Sequence, residues 1–375
     1  MNRLNDKRVL KVKWHYNLKR DPTGAIERFK ARLVVKGFQQ IEGVDFGEIH
    51  APVAHFTSLR ILLAVAMKQG MKLYQIDVET AYLNSHLKEE LYTEFPDGQG
   101  EQGKCWKLQK SLYGLRQGAK DWFDTLRGIL QGADLEPSSY DQCIYTNADH
   151  SVLVAVYVDD VLVAAKHEED FENFKRYLDT KIRTKQGDCR KFLGIVLERS
   201  GNCLRLHQKP YIESLLKQFG LENARPAKSP MDEFDWNHNA PVLTDIPYRS
   251  LIGSLAYVSS RTRPDIAAAV HILSRFLNAP TQMHFSKAKT VLAYLKSTID
   301  HCLVIDPGSE EVLTLFTDSD YSTNTKHRKS TSGILIKVFG TSVHWSSNGQ
   351  NAVSLSTAEA ELYALSCGIS TARWC

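Results

Sequence analysis

The stretch Ser151-Val-Leu-Val-Ala-Val-Tyr-Val-Asp-Asp-Val-Leu-Val-Ala-Ala165 limits the fold more than any other part of the sequence. Seven apolar residues, 152–158, lead into Asp159-Asp160, and five more, 161–165, follow. Two apolar runs on either side of a dipeptide predict a tight, buried β-hairpin. Such turns favour Asn-Gly or Asp-Gly, because positive φ is needed there. Asp-Asp fits less well, and adjacent carboxylates beside buried strands repel. A chain that keeps both needs two negative charges at one point. A divalent cation supplies a reason, since Mg²⁺ is held by carboxylates together with substrate phosphates. A solvated turn is the alternative that the dipeptide alone leaves open.

Two metals ~3.5–4 Å apart can stabilise the attacking and leaving oxygens of phosphoryl transfer, but they require a further acid. Asp77 is the candidate. It lies at the end of a predicted strand, Lys72–Val78, among apolar residues and eighty-two positions before Asp159.

Residues 10–18 alternate strictly, with Leu10, Val12, Trp14, Tyr16 and Leu18 set against Lys11, Lys13, His15 and Asn17. Period two predicts a half-buried strand. Asp21-Pro22-Thr23-Gly24 signals a turn. A second alternation sets Phe29, Ala31 and Leu33 against Arg28, Lys30 and Arg32. The expected product is a hairpin with one apolar face and one basic face, able to hold a triphosphate or a nucleic-acid backbone. Residues 1–36 carry eleven Lys/Arg against three acids, a local +8 in a chain of net +4, which leaves about −4 for the rest. That asymmetry fits a polyanion partner. A solvated basic face fits it as well.

Helical spacing predicts helices over 57–70, 119–132, 169–183 and 210–219, mostly helix over 247–298, and a helix over 356–368. Residues 311–317 and 332–345 are strand-like. Residues 226–246, rich in Pro, Asp and Asn without periodicity, predict a linker or long loop. The length of 375 residues suggests two or three domains. No apolar run approaches the ~18–20 residues of a membrane span, and the basic N-terminus has no apolar signal core. Seven scattered cysteines without a C-x-x-C pair argue against a disulfide frame or zinc site, and for an intracellular protein.

Tyr157-Val158-Asp159-Asp160 resembles the Y-x-D-D hairpin of reverse transcriptases, and Asp77-Val78-Glu79-Thr80-Ala81-Tyr82 resembles the motif of their third catalytic aspartate. Arg28-Phe-Lys-Ala-Arg-Leu-Val-Val-Lys-Gly-Phe-Gln39, Ser111-Leu-Tyr-Gly-Leu-Arg-Gln117, Lys191-Phe-Leu-Gly194, Tyr248-Arg-Ser-Leu-Ile-Gly-Ser-Leu-Ala-Tyr257 and Arg261-Thr-Arg-Pro-Asp-Ile266 are similar, in order and spacing, to the copia-type retrotransposon group. The resemblance implies an α+β right-hand polymerase (fingers, palm, thumb) followed by a partial RNase H-like mixed sheet. It implies an RNA-directed DNA polymerase that copies RNA and DNA templates into DNA. Asp77, Asp159 and Asp160 would be catalytic and hold two Mg²⁺ ions, with Mn²⁺ as a substitute. Lys30 and Arg32 would face the triphosphate, Tyr82 would gate against a ribose 2′-hydroxyl, and Gln117 would contact the nucleotide or be an ordinary loop residue. Phe192-Leu193-Gly194 would position the primer end or form a simple strand turn. Expected partners are an RNA template, a DNA primer, the RNA–DNA hybrid and dNTPs, with no membrane. The expected location is intracellular, in the cytoplasm, in element particles or in the nucleus.

Leu313-Thr-Leu-Phe-Thr-Asp318-Ser-Asp320 is a predicted strand ending in acids, and Glu361 follows forty-three residues after Asp318 on a predicted helix. Spacing puts Leu355, Ala358, Leu362 and Leu365 on one face, with Glu361 at its edge. The pair Asp318 and Glu361 resembles the first two acids of RNase H-like nucleases, with Asp320 and Glu359 as alternatives. That family pattern includes later aspartates which this sequence, ending at Cys375, does not contain, so an inactive RNase H remnant is expected. The expected division is 1–230 for fingers, palm and the start of the thumb, 231–305 for thumb and connection, and 306–375 for the RNase H-like part. The competing reading is a catalytically silent, element-derived fragment that binds nucleic acid.

Overall fold

A computed structural model describes residues 7–20, 26–100, 103–232, 234, 240–322 and 328–375. The chain is an α+β protein that divides into two compact units, Met1–Ala54 with Tyr74–Gly187, and His55–Leu73 with Asp188–Cys375. The boundary expected near residue 230 does not coincide with this division.

After a short strand at Val9–Leu10, the first unit continues with β1 (Val12–Arg20) and β2 (Ile26–Val35), an antiparallel pair forming a two-stranded ribbon. Their register sets Trp14 opposite Leu33, Tyr16 opposite Ala31 and Leu18 opposite Phe29, while His15 faces Arg32 and Asn17 faces Lys30. The two faces are therefore as the alternation predicts. The apolar face is not half-buried, however, since Tyr16 is 71% and Phe29 77% exposed. Alternation reports that a strand has two faces, and not what covers them. The Asp21–Gly24 turn lies outside the described residues.

Helix α1 (Phe56–Lys68) belongs to the second unit, and β3 (Lys72–Val78) follows it. The first unit then continues through α2 (Gly118–Gln131), β4 (Val152–Tyr157), β5 (Asp160–Ala165), α3 (Glu168–Lys181) and β6 (Thr184–Gly187). One six-stranded sheet runs in the order β6-β3-β5-β4, then Ile144–Thr146 and Glu136–Pro137. Trp122, Leu126 and Leu130 of α2 and Phe171, Phe174 and Leu178 of α3 share one core with Ile76, Val78, Val154, Val156, Val161 and Val163 of the sheet. Each such side chain contributes about 1.5–3 kcal/mol by burial. Glu168, Glu169 and Asp170 occupy the first turn of α3 and Lys181 its last, each at the end of the helix dipole that favours its charge.

In the second unit, Leu193-Gly194 form a two-residue turn with both φ positive (49° and 80°) between Lys191–Phe192 and β7 (Ile195–Ser200). The Tyr257 hydroxyl donates to the Leu193 carbonyl. Strand β8 (Cys203–His207) pairs with β7, and α4 (Lys209–Gln218), α5 (Tyr248–Arg261), α6 (Ala267–Ser274) and α7 (Gln282–Ser297) follow. Ile212, Leu215 and Leu216 of α4 lie in one core with Leu251, Leu255, Val291 and Leu292, so helices on both sides of residue 230 fold together. The described part of 226–246 has neither helix nor strand, and Met231, Phe234 and Ile246 pack on that core. Its other residues, 233 and 235–239, are outside the description.

The chain closes with β9 (Leu313–Asp320), β10 (Thr331–Val338), β11 (Thr341–Gly349) and α8 (Thr357–Trp374). The segment read as one strand-like run over 332–345 is two antiparallel strands, turned at Phe339-Gly340 with φ of 50° and 80°. The apolar face expected for α8 is also corrected. Leu355 (88%) and Leu362 (65%) are exposed, and the buried face is Ala360, Ala364 and Gly368. Small residues let the helix approach the sheet closely. A Cβ at Gly368 would stand 2.5 Å from Thr317 Cγ2 and 3.2 Å from Leu315 Cδ1. Gly368→Val should therefore destabilise by about 1–3 kcal/mol through overpacking, while Leu362→Ala stays within about 0.5 kcal/mol. Denaturant unfolding checks the contrast. Among the described residues no helix is long and apolar enough to cross a membrane.

Candidate active site

The Asp-Asp hairpin forms, with its turn one residue earlier than expected. Strand β4 ends at Tyr157, Val158-Asp159 make the turn, and Asp160 already pairs with Tyr157. The left-handed position is Val158, at φ 56°. For a β-branched residue this costs on the order of 1–3 kcal/mol and persists only where the surroundings impose it. Here the Val158 side chain packs on the sheet–helix core, and its carbonyl accepts a hydrogen bond from Trp122 Nε1 at 2.8 Å. The turn is thus pinned from α2. Trp122→Phe keeps an aromatic ring but removes the N–H donor and part of the buried indole, at an expected cost of about 1–3 kcal/mol in thermal or denaturant unfolding.

Strand β3 lies beside β5 in the sheet, and the Val78 amide donates to the Asp159 carbonyl at 2.9 Å. Asp77 therefore comes to the hairpin tip. Burial pushes the Asp159 carboxyl above its ordinary range, and the charges of Asp77 and Asp160 push it further, against Arg32 and Lys30. Asp160 is raised by burial and then by Asp77, with a hydrogen bond from Gln75 acting the other way. All three acids line one cavity of about 660 Å³ together with Arg28, Lys30 and Arg32 from β2.

Asp159 Oδ1 is buried and has no hydrogen-bond partner among the described residues. Among them, no set of three or more His, Cys, Asp or Glu gathers closely enough by itself to hold a metal ion. A hard cation such as Mg²⁺ takes only one or two carboxylates and completes its shell with water and substrate phosphates, so a closed protein cage is not required. Crowded like charges with an unpartnered buried oxygen fit a cation at this point.

Lys30 and Arg32 line the cavity. Tyr82 comes close to the tip, and its phenol is raised by burial and by the Asp159 charge. Yet it is the Tyr113 ring that lines the cavity; Tyr82 meets that ring edge-on at 5.0 Å, and the Arg32 guanidinium stands 5.1 Å from its centre. Gln117 is not brought to the cavity wall. It is 2% exposed at the start of α2, where Nε2 donates to the Asp45 carbonyl and to Glu89, and Oε1 accepts from Gln40. Arg28, already on the basic face set out by the alternation, also lines the cavity, as do Tyr113 and Lys185, which sequence reasoning did not single out. The available signal for Tyr113 was the glycine that follows it.

In the second unit, Glu361 Oε1 accepts from the Ser319 amide at 3.1 Å, which brings it beside Asp318 at the strand end. Glu359 is engaged elsewhere, accepting from the Leu355 amide. Trp345, part of the copia-type pattern, donates from Nε1 to the Ser259 carbonyl and carries the Arg60 guanidinium 3.9 Å from its ring centre.

Comparisons with known proteins show what the chain is similar to. The chain is 37% identical, over 96% of its length, to the retrovirus-related Pol polyprotein from transposon TNT 1-94 of Nicotiana tabacum. It is 32% identical, over 98%, to the retrovirus-related Pol polyprotein from transposon RE1 of Arabidopsis thaliana. It covers 28% and 26% of those two proteins, respectively. A putative transposon Ty5-1 protein of Saccharomyces cerevisiae is 30% identical over 76% of this chain and 96% of its own length. The sequence profile described as reverse transcriptase (RNA-dependent DNA polymerase) matches residues 2–233. This chain belongs to the reverse transcriptase family, in the form carried by copia-type retrotransposons.

Proposed function

We propose that the chain is an RNA-directed DNA polymerase whose active site is the cavity shared by Asp77, Asp159 and Asp160. One observation carries this reading: an acid from β3 and two from the β4–β5 hairpin meet opposite a strand bearing Arg28, Lys30 and Arg32. Acids that crowd one another suit divalent cations, and the facing cations suit the phosphates of a dNTP. When bound, two Mg²⁺ ions would lower the pKa of a primer 3′-hydroxyl and stabilise the departing pyrophosphate. Asp77 and Asp159 would hold them, with Asp160 assisting. Lys30 and Arg32 would orient the triphosphate, and the Tyr113 ring, backed by Tyr82, would bound the sugar. Gln117 has a structural part in this reading, tying α2 to Asp45 and Glu89.

The first unit would supply fingers and palm, α4–α7 the thumb and connection, and β9–β11 with α8 an RNase H-like part. Asp318 and Glu361 would be acids of that part able to share a cation. The partners would be an RNA template, a DNA primer and dNTPs, inside the cell.

Primer extension on an RNA template with Mg²⁺ tests the reading. Incorporation is expected. Folded protein that binds the primer–template in a salt-sensitive manner and incorporates nothing would be a silent nucleic-acid binder instead.

A further inference from the structure

Antiparallel pairing of β3 with β6 sets Lys185 directly opposite Asp77. Directly opposed residues share a face of the sheet, with Cβ atoms only about 4.5–5.5 Å apart. A lysine there is the natural ion-pair partner of Asp77, and such a pair would neutralise a carboxylate that the proposed chemistry needs. The structure shows a different pair. Lys185 Nζ meets Glu79 Oε1 at 2.5 Å. Glu79 stands two residues beyond Asp77, where its amide continues the ladder by donating to the Arg183 carbonyl at 3.0 Å. Its carboxylate thus reaches diagonally across the strands to take the ammonium, within the range of long side chains. Among the described residues the Asp77 carboxylate has no hydrogen bond or ion pair.

We infer that Glu79 is a positioning residue, which captures the Lys185 ammonium and thereby keeps Asp77 available to a divalent cation. The inference rests on the polymerase reading only for the use of that cation. In the absence of Glu79, Lys185 swings to Asp77 and competes with the metal.

The test is a double-mutant cycle on the whole chain, with binding of Mn²⁺ alone followed by electron paramagnetic resonance, and thermal melting as the check on folding. Glu79→Ala should weaken Mn²⁺ binding by about tenfold, the scale of one charge at ion-pair distance. Lys185→Met should recover most of that loss in the Glu79→Ala background and change much less in the wild type. Unchanged Mn²⁺ affinity in Glu79→Ala overturns the inference. So does an equal effect of Lys185→Met in both backgrounds, which would mean only long-range charge. A double variant as weak as Glu79→Ala would make Glu79 itself a ligand, and a wild type that binds no Mn²⁺ leaves Asp77 nothing to be kept for; each overturns it too. Wild-type protein that completes this cycle as expected and yet extends no primer would sink the polymerase reading and leave the role of Glu79 standing.

Discussion

Asp159→Asn should lower RNA-templated primer extension on the order of 10³-fold or more, about 4 kcal/mol of transition-state stabilisation, while raising the melting temperature of the metal-free protein. The opposite signs follow from one fact. Burial, Asp77 and Asp160 raise the carboxyl of Asp159 above the ordinary 3.8, so the native state binds its proton more tightly than the unfolded chain does. Native stability therefore falls as pH rises from 3.8 through the raised value, above which the penalty is fully present. Below 3.8 both states carry the proton and the penalty is absent. Asparagine has no charge to desolvate and escapes it. A higher melting temperature than wild type at pH 7, the difference shrinking toward pH 4 in a chelator-containing buffer, is expected by calorimetry. A variant that melts lower than wild type at pH 7 would show that this acid is at ease in the fold. Active sites commonly carry such a trade between stability and function.

Gly114→Ala should be among the most damaging substitutions in the first unit. Gly114 sits at φ 93°, and a Cβ there would stand 2.2 Å from the Val35 carbonyl oxygen and 2.6 Å from Val34 Cγ1. On the facing segment, a Cβ on Gly37 would stand 2.0 Å from the Gly114 carbonyl oxygen. The two backbones touch because neither glycine carries a side chain, and the Val35 amide donates to the Tyr113 carbonyl at 2.8 Å. Left-handed strain and a collision with fixed backbone together should cost about 3–5 kcal/mol. The damage should reach the site, since Tyr113 is the preceding residue and carries Arg32 against its ring. Denaturant unfolding measures the loss, and a cost under about 1 kcal/mol would mean that the backbones separate easily.

The hairpin was legible because its signal is local and strong. Two apolar runs flanking a dipeptide read as a buried hairpin, and Asp77 stands near the end of the strand-like segment Lys72–Val78. The exact turn was not legible, because sequence rules assign positive φ to Gly, Asn or Asp, whereas Trp122, far along the chain, holds Val158 there. Periodicity on α8 pointed to its leucines, but β9 selected the small residues, since close approach depends on what the partner surface admits. Gln117 lies in a recognisable motif and is nonetheless buried among Gln40, Asp45 and Glu89, partners that only the tertiary fold supplies. Tyr113 and Lys185 were missed for the same reason: their places depend on the backbone contact at Gly114 and on the register of β6 against β3.

Asp77 is the acid whose part in the site depends wholly on the fold, so it gives the most direct test. Primer extension on an RNA template with Mg²⁺ should proceed with the wild type and fall by about 10³-fold with Asp77→Asn, both proteins being folded by circular dichroism. Equal incorporation by the two would contradict a shared site of three acids.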